Sequence, residues 1–382
     1  MMEKLLRLLA EKKGSDLFLS PGSAAHMKIN GATLPINQQK LDPASVTALI
    51  RQVVTERQWQ EFEDRRELNV GYSVSAVGSF RVNVFRQRGS PACVIRYIPG
   101  DIPRLEQLGL PDSLRQLVME PRGLVLVVGS TGSGKSTTLA SLIEYRNENR
   151  SGHILTFEDP IEFTFRNKRS IVNQRQIGTD TDSLLVGLRN AMRQAPDCIM
   201  IGEIRDIDTM SAAITYAQSG HLVLATLHAN NAYNALNRIV SFYPPENRRV
   251  MLSDLAGTLR SIASQRLIRG ASGGRVPAVE LLLNTRYVAE LIEQGNLGEV
   301  KDAMEKSLAA GSQTFEQALL RMVQAGRVSR EDALAHADSP TNLLWLLENS
   351  ERTPLAQQTP SADTSVQRTS DGPSFAEFLL KV

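Results

Sequence analysis

The sequence predicts an α/β protein in which a parallel sheet, covered on both faces, follows a smaller α+β domain. Three observations predict it. Short apolar runs, LVLVV (124–128), ILTF (154–157), CIMI (198–201) and HLVLATL (221–227), are separated by segments of helical periodicity, as expected for strands buried on both faces of a parallel sheet. Alternating apolar and polar residues between Leu68 and Ile98 mark three half-buried strands ahead of them. A glycine-rich octapeptide, GSTGSGKS (129–136), stands between the first apolar run and the helix-compatible TTLASLIEY, the strand–loop–helix order of a phosphate-binding loop.

Taken in order, residues 2–13 read as a short amphipathic helix, and SDLFLSPG and HMKINGATLPI as strands joined by glycine- and proline-marked turns. Residues 43–64 carry helical periodicity, with Asp42 placed to cap and Pro43 in the first turn. NVGYSVS, GSFRVNVFRQRG and ACVIRYIP are the three expected strands, and the first domain spans 1–99. Residues 100–120, with Pro103, Pro111 and a helix expected over 111–120, form the expected linker. The second domain covers 121–350, and from 232 onward its pattern is dominated by helical periodicity. Residues 351–382 are polar and proline-marked and read as a disordered tail, ending in SFAEFLLKV, which is apolar enough for a docking peptide.

A chain of 382 residues, 42% hydrophobic and 22% charged, has the make-up of an ordinary soluble protein of two to three domains. The formal net charge of +2 excludes a global field that would mark a binder of nucleic acid or anionic membrane. Cys93 and Cys198 are too few for a disulfide framework and too far apart for a CxxC metal site, and read as buried free thiols. The start has no signal-peptide core, and no apolar run reaches membrane-spanning length. A cytoplasmic protein without a transmembrane segment, at most peripheral to a membrane, is expected.

Gly129, Ser130, Thr131, Gly132, Ser133, Gly134, Lys135 and Ser136 match GxxxxGK[ST] in full, with Thr137 next. Glycines permit the turn that aims backbone N–H groups at phosphate oxygens, and the helix N-terminus adds its positive end. Lys135 is expected to reach the β- and γ-phosphates of ATP, and the Ser136 hydroxyl to ligate Mg²⁺. DCIMIGE places Glu203 at the end of a buried strand, where a hydrolytic site needs a carboxylate beside Mg²⁺ and the attacking water. Glu158 and Asp159 end ILTF in the same way, with helix capping before Pro160 as the alternative. One carboxylate can serve as general base while the other orients the metal or its water; the residues leave the two roles exchangeable.

GHLVLATLHAN holds His221 and His228. His228 is preferred because it lies at the C-terminal end of its strand, the ligand side of such a sheet. Arg81, Arg86, Arg88 and Arg96 in the first domain either face solvent or supply a cation that stabilises charge in phosphoryl transfer. Spacing does not choose among them.

Together GSTGSGKST, TFEDPIEF, RQAPDCIMIGEIRD and SGHLVLATLHANNA resemble the Walker A, Asp box, Walker B and His box of the bacterial secretion ATPases. Within them the chain resembles the type IV pilus retraction ATPases, the PilT/PilU family, over roughly residues 3–345, including GSDLFLSPG, GSFRVNVFRQR, IVNQRQIG and AGSQTFEQAL. The resemblance implies a PAS-like N-terminal domain, a RecA-like core and a hexameric ring at the cytoplasmic base of the pilus machine, facing an inner-membrane platform protein. It further implies that Lys135 and Ser136 bind phosphate and Mg²⁺, that Glu158 and Glu203 serve water and metal, and that His228 lies near the γ-phosphate. Arg81 and Arg96 match the arginines that reach a nucleotide held by a core domain.

Two departures narrow the resemblance. The four-cysteine metal element of pilus assembly and type II secretion ATPases is missing, and RYVAELIEQG stands where PilT proteins carry an AIRNLIR-type signature. Both point to the PilU branch, acting with a PilT-type partner. The expected function is therefore ATP hydrolysis in a retraction motor. The alternatives are an ATP-binding regulatory subunit with weak hydrolysis of its own and a nucleic-acid-translocating ATPase.

Overall fold

The computed structural model describes residues 1–352, apart from 30, 76, 100, 101 and 308. The helix Pro340–Arg352 runs into the first two residues of the expected tail, and the rest of it, 353–382 with SFAEFLLKV, lies outside the described residues.

An amphipathic helix, Met2–Glu11, buries Met2, Leu6 and Leu9 on one face, at the i, i+3, i+4 spacing that makes a helical stripe. It precedes β1 (Asp16–Leu19), β2 (His26–Ile29), β3 (Ala32–Pro35), β4 (Glu67–Val74), β5 (Gly78–Gln87) and β6 (Ser90–Pro99), which form an antiparallel sheet ordered β3-β2-β1-β6-β5-β4. The single helical segment expected over 43–64 is two helices, Pro43–Ile50 and Glu56–Arg65. Asp42 caps the first as expected, accepting from Ser45 N at 2.6 Å. Thr55 and Gln58 then form a capping box that starts the second, and satisfying two orphan N–H groups there makes the break.

A short helix, Ser113–Met119, follows within the 111–120 window. Arg146 is fully buried and donates to the carbonyls of Val118 and Glu120, holding that helix against Lys135–Asn149.

The second sheet contains β7 (Gly123–Val128), β8 (Gly152–Glu158), β9 (Ser170–Gln176), β10 (Cys198–Ile201), β11 (Leu222–Leu227), β12 (Leu259–Arg269) and β13 (Arg275–Leu283), in the order β13-β12-β7-β11-β10-β8-β9. All neighbours are parallel except β12 and β13. Leu124, Leu126 and Val128 point to one side of β7 and Val125 and Val127 to the other, each into its own apolar cluster. That is the period of two expected of a strand with helices on both faces. Full burial of each such side chain contributes about 1.5–3 kcal/mol. The α/β core preceded by a smaller α+β unit is what the chain forms.

Helices do dominate beyond 232, but two strands that were not expected, β12 and β13, also lie inside that stretch. The helix Pro245–Thr258 passes directly into Leu259 with no intervening turn residues. β12 is also covered on both sides, so its pattern lacks alternation. β9 was likewise not expected: it is an edge strand, SIVNQRQ, whose two apolar residues, Ile171 and Val172, are adjacent and followed by an unbroken polar run, so it shows neither a buried apolar run nor alternation.

Candidate functional site

The loop after β7 turns through Gly129, Gly132 and Gly134, and Gly134 at φ +89° caps the helix that opens with Lys135. A β-carbon at Gly129 would sit 2.4 Å from Ser133 Oγ and 2.6 Å from the Gln265 carbonyl, so only glycine fits there. Lys135 Nζ donates to the carbonyls of Gly129 and Ser130, each at 2.9 Å. Burial pushes the ammonium below the usual lysine range, while Glu203 and Glu162 oppose that fall through their charge. The Ser133 hydroxyl is buried without a hydrogen-bond partner, and Ser130, Thr131 and Ser136 are exposed around it, with Thr137 half-buried.

Glu203 follows β10 by way of Gly202, whose N–H donates to the Phe157 carbonyl at 2.8 Å. Thr226 Oγ1 on β11 donates to the Gly202 carbonyl at 2.5 Å, and Ile204 N donates to the Thr226 carbonyl at 2.9 Å. These bonds set Glu203 between the ends of β8 and β11. There Glu203 Oε1 lies 2.9 Å from His228 Nε2, and Oε2 accepts from Arg205 Nε at 2.6 Å. His221 is instead at the opposite end of β11, with Nδ1 on the Tyr216 carbonyl.

Glu158 is only 8% exposed. Its Oε1 accepts from Thr156 Oγ1 at 2.7 Å and from Gln174 Nε2 at 3.0 Å. Burial raises its pKa, and those hydrogen bonds pull it partly back. No helix starts at Pro160, so capping does not explain Glu158 or Asp159. Asp159 lies 3.9 Å from Arg205.

Arg81 and Arg96 are directly opposite each other on β5 and β6. Arg81 Nη2 donates to Glu162 Oε1 at 2.9 Å, crossing from the first sheet to the loop after β8. Arg96 Nε donates to Asp16 Oδ1 at 2.9 Å and so stays on the first sheet. Glu162 acts electrostatically on both Lys135 and Glu158. Of the two arginines, only Arg81 is thereby joined to the group of charges around the loop.

A family model of type II/IV secretion system proteins matches residues 1–335. This chain belongs to that family. It is 44% identical over 378 residues, covering 98% of this chain and 99% of its relative, to the type IV pilus ATPase PilU of Pseudomonas aeruginosa. It is 39% identical over 339 residues, 89% of this chain and 98% of the relative, to the pilus retraction ATPase PilT of the same organism. Among solved structures, the pilus retraction motor PilT with bound ADP superposes with a TM-score of 0.84 at 38% identity, over 90% of this chain and 99% of that one. The Legionella pneumophila ATPase DotB gives 0.77 at 27% identity, over 87% and 93% of the two chains. These relatives place the chain in the PilT/PilU group of the family.

The chain has contacts at this site that motif spacing did not single out. Gln265 on β12 donates through Nε2 to the Ser133 carbonyl at 2.8 Å and accepts from Thr138 Oγ1 at 2.7 Å, bracing the glycine loop. Arg205 and Glu162 complete the charge pairs. A sequence signal existed for the strand: GASGG (270–274) between SIASQRLIR and RVPAVELLL marks a hairpin. Arg205 stands two residues after Glu203, and Glu162 lies within TFEDPIEF.

Proposed function

We propose that the chain hydrolyses ATP as a motor subunit for type IV pilus retraction, beside a PilT-type partner. The observation that carries this is the juxtaposition at one end of the parallel sheet of the glycine loop with Lys135, the Glu203–His228 pair and the buried Glu158. Incoming phosphate oxygens replace the Gly129 and Ser130 carbonyls on Lys135, and the unpartnered Ser133 hydroxyl supplies a further donor. Glu158, whose environment raises its proton affinity, takes the proton of the attacking water, while His228 and Arg205 hold Glu203 in place.

Mg²⁺ fits this donor set. No cluster of three or more His, Cys, Asp or Glu among the described residues could hold a metal. Magnesium, however, draws most of its oxygens from phosphates and water and needs only one or two protein ligands. The exposed Ser136 hydroxyl and the Glu203 carboxylate are the residues that would hold it, neutralising phosphate charge.

In this reading 1–99 forms the PAS-like domain, 100–120 the linker and 121–350 the RecA-like motor domain, with 351–382 a tail. Six copies form a ring on an inner-membrane pilus platform protein, cytoplasmic and peripheral to that membrane. No described helix is long and apolar enough to cross a membrane. Arg81, released from Glu162, reaches a nucleotide as the two domains close, which links hydrolysis to movement. The purified chain is expected to release phosphate from Mg-ATP and the Lys135→Ala variant to lose that activity. Turnover at the parent rate by that variant overturns the site assignment. Restoration of twitching in a strain lacking its own PilU-type protein tests the motor role.

A further inference from the structure

β12 sends consecutive side chains to opposite sides. Gln265 faces the glycine loop, and Arg266 faces the segment that leaves β11 through His228. Arg266 Nη2 donates to the Asn230 carbonyl at 3.1 Å and pairs with Asp338, while Nη1 donates to the His336 carbonyl. Its guanidinium lies 3.9 Å above the Phe315 ring, a stacked geometry that a planar cation favours. Asp338 holds the same segment a second time, accepting from Asn231 Nδ2 at 2.9 Å. Asn231 Oδ1 in turn caps the helix Ala232–Phe242 by accepting from Asn234 N at 2.8 Å. Phe315 belongs to the helix Phe315–Gln324, His336 ends Arg330–His336, and Asp338 precedes Pro340–Arg352.

Arg266 and Asp338 therefore form a clamp whose jaws are the C-terminal helices and the two residues that follow His228-Ala229. We propose that Arg266 is a positioning residue for His228, through which the C-terminal helices control whether the His228–Glu203 contact is made. The charges sit at a partly solvated seam rather than in the core, each 20% exposed. A movement of the helices would thus break the clamp without unfolding the sheet, giving the contact the second arrangement that coupling between sites requires. The inference rests on His228 and Glu203 serving ATP hydrolysis.

The test uses the full chain with Mg-ATP and reads three quantities: kcat, nucleotide affinity, and hydrogen exchange across 228–234 and 129–140. Arg266→Ala is expected to lower kcat roughly 10- to 100-fold, as small misplacements of catalytic groups do. Nucleotide affinity is expected to stay unchanged, and exchange to rise only across 228–234. Arg266→Lys, which keeps the charge but not the fork, recovers part of the rate. In a His228→Ala background, Arg266→Ala is expected to have no further effect on kcat. A second route avoids losing the Arg266 stack: Asn231→Asp keeps the helix cap but sets an oxygen against Asp338, and is expected to reproduce the fall in kcat.

An Arg266→Ala variant with parental kcat overturns the proposal. So does an equal loss of kcat from this substitution with and without His228, since that is the signature of a general structural role. An inactive parent chain would instead count against the ATPase reading; a rise in exchange confined to 228–234 in Arg266→Ala would then still support the clamp, and its absence would refute it.

Discussion

Gln265 Nε2 donates to the carbonyl of Ser133 at 2.8 Å, so the glycine loop is braced by a strand 132 positions further along the chain. The same amide accepts from Thr138, one turn into the following helix. Gln265→Ala removes both bonds and leaves buried polar atoms unmatched, at a cost of about 1–3 kcal/mol. Thermal unfolding should show that loss, and titration with a fluorescent ATP analogue should show weaker binding than for the parent.

The two carboxylates are expected to separate in kinetics. Glu158→Gln keeps the Thr156 and Gln174 neighbours but removes the group with raised proton affinity. It should lower kcat by roughly 10²–10⁴-fold, the contribution usual for a general base, with nucleotide affinity retained. Glu203→Gln leaves Arg205 and His228 without their shared charge and should shift the Mg²⁺ concentration needed for half-maximal activity. Measuring kcat and Mg²⁺ dependence for both variants distinguishes the roles.

Glu280 supplies a pH prediction. Its Oε1 accepts from Ala232 N at 2.6 Å and from Ser264 Oγ at 3.0 Å, and burial pushes the carboxyl up from 4.5 to about 7. A pKa raised by folding means that the fold favours the protonated acid. The stability it contributes is complete below pH 4.5 and is lost as pH rises through about 7. At about 1.4 kcal/mol per pH unit this amounts to roughly 3 kcal/mol. Melting temperatures of the parent should fall between pH 5 and 8 more than those of Glu280→Gln, which keeps the acceptor oxygen without the charge.

Arg81 and Arg96 should differ as well. Arg81 is bound to Glu162 beside the glycine-loop charges, whereas Arg96 is bound to Asp16 within the first sheet. Arg81→Ala is expected to depress kcat strongly; Arg96→Ala is expected to act on the melting temperature first. Steady-state ATPase assays alongside thermal unfolding check the contrast.

Much of this was legible in the chain. The loop 129–136, the ends of the apolar runs at Glu158 and Glu203, and the choice of His228 over His221 follow from local rules: glycine freedom, buried strands and the ligand side of a parallel sheet. β4 to β6 were legible because one-sided burial leaves alternation. β12 was harder to read, because burial on both sides removed the period and a helix running straight into it removed the punctuation at its start, leaving only the GASGG turn at its end.

What the sequence by itself determined is the set of groups proposed to meet the nucleotide, since each is marked by residues within a few positions of it. Tertiary structure alone decided what holds them: Gln265 under the loop, Arg205 on Glu203, Glu162 on Arg81, and Arg266 with Asp338 on the segment after His228. The reason is physical. A phosphate-binding turn is encoded by backbone freedom at successive residues, whereas a brace is a hydrogen bond between strands and helices far apart in sequence. Its partners are ordinary Gln, Arg and Asp until the sheet brings them together.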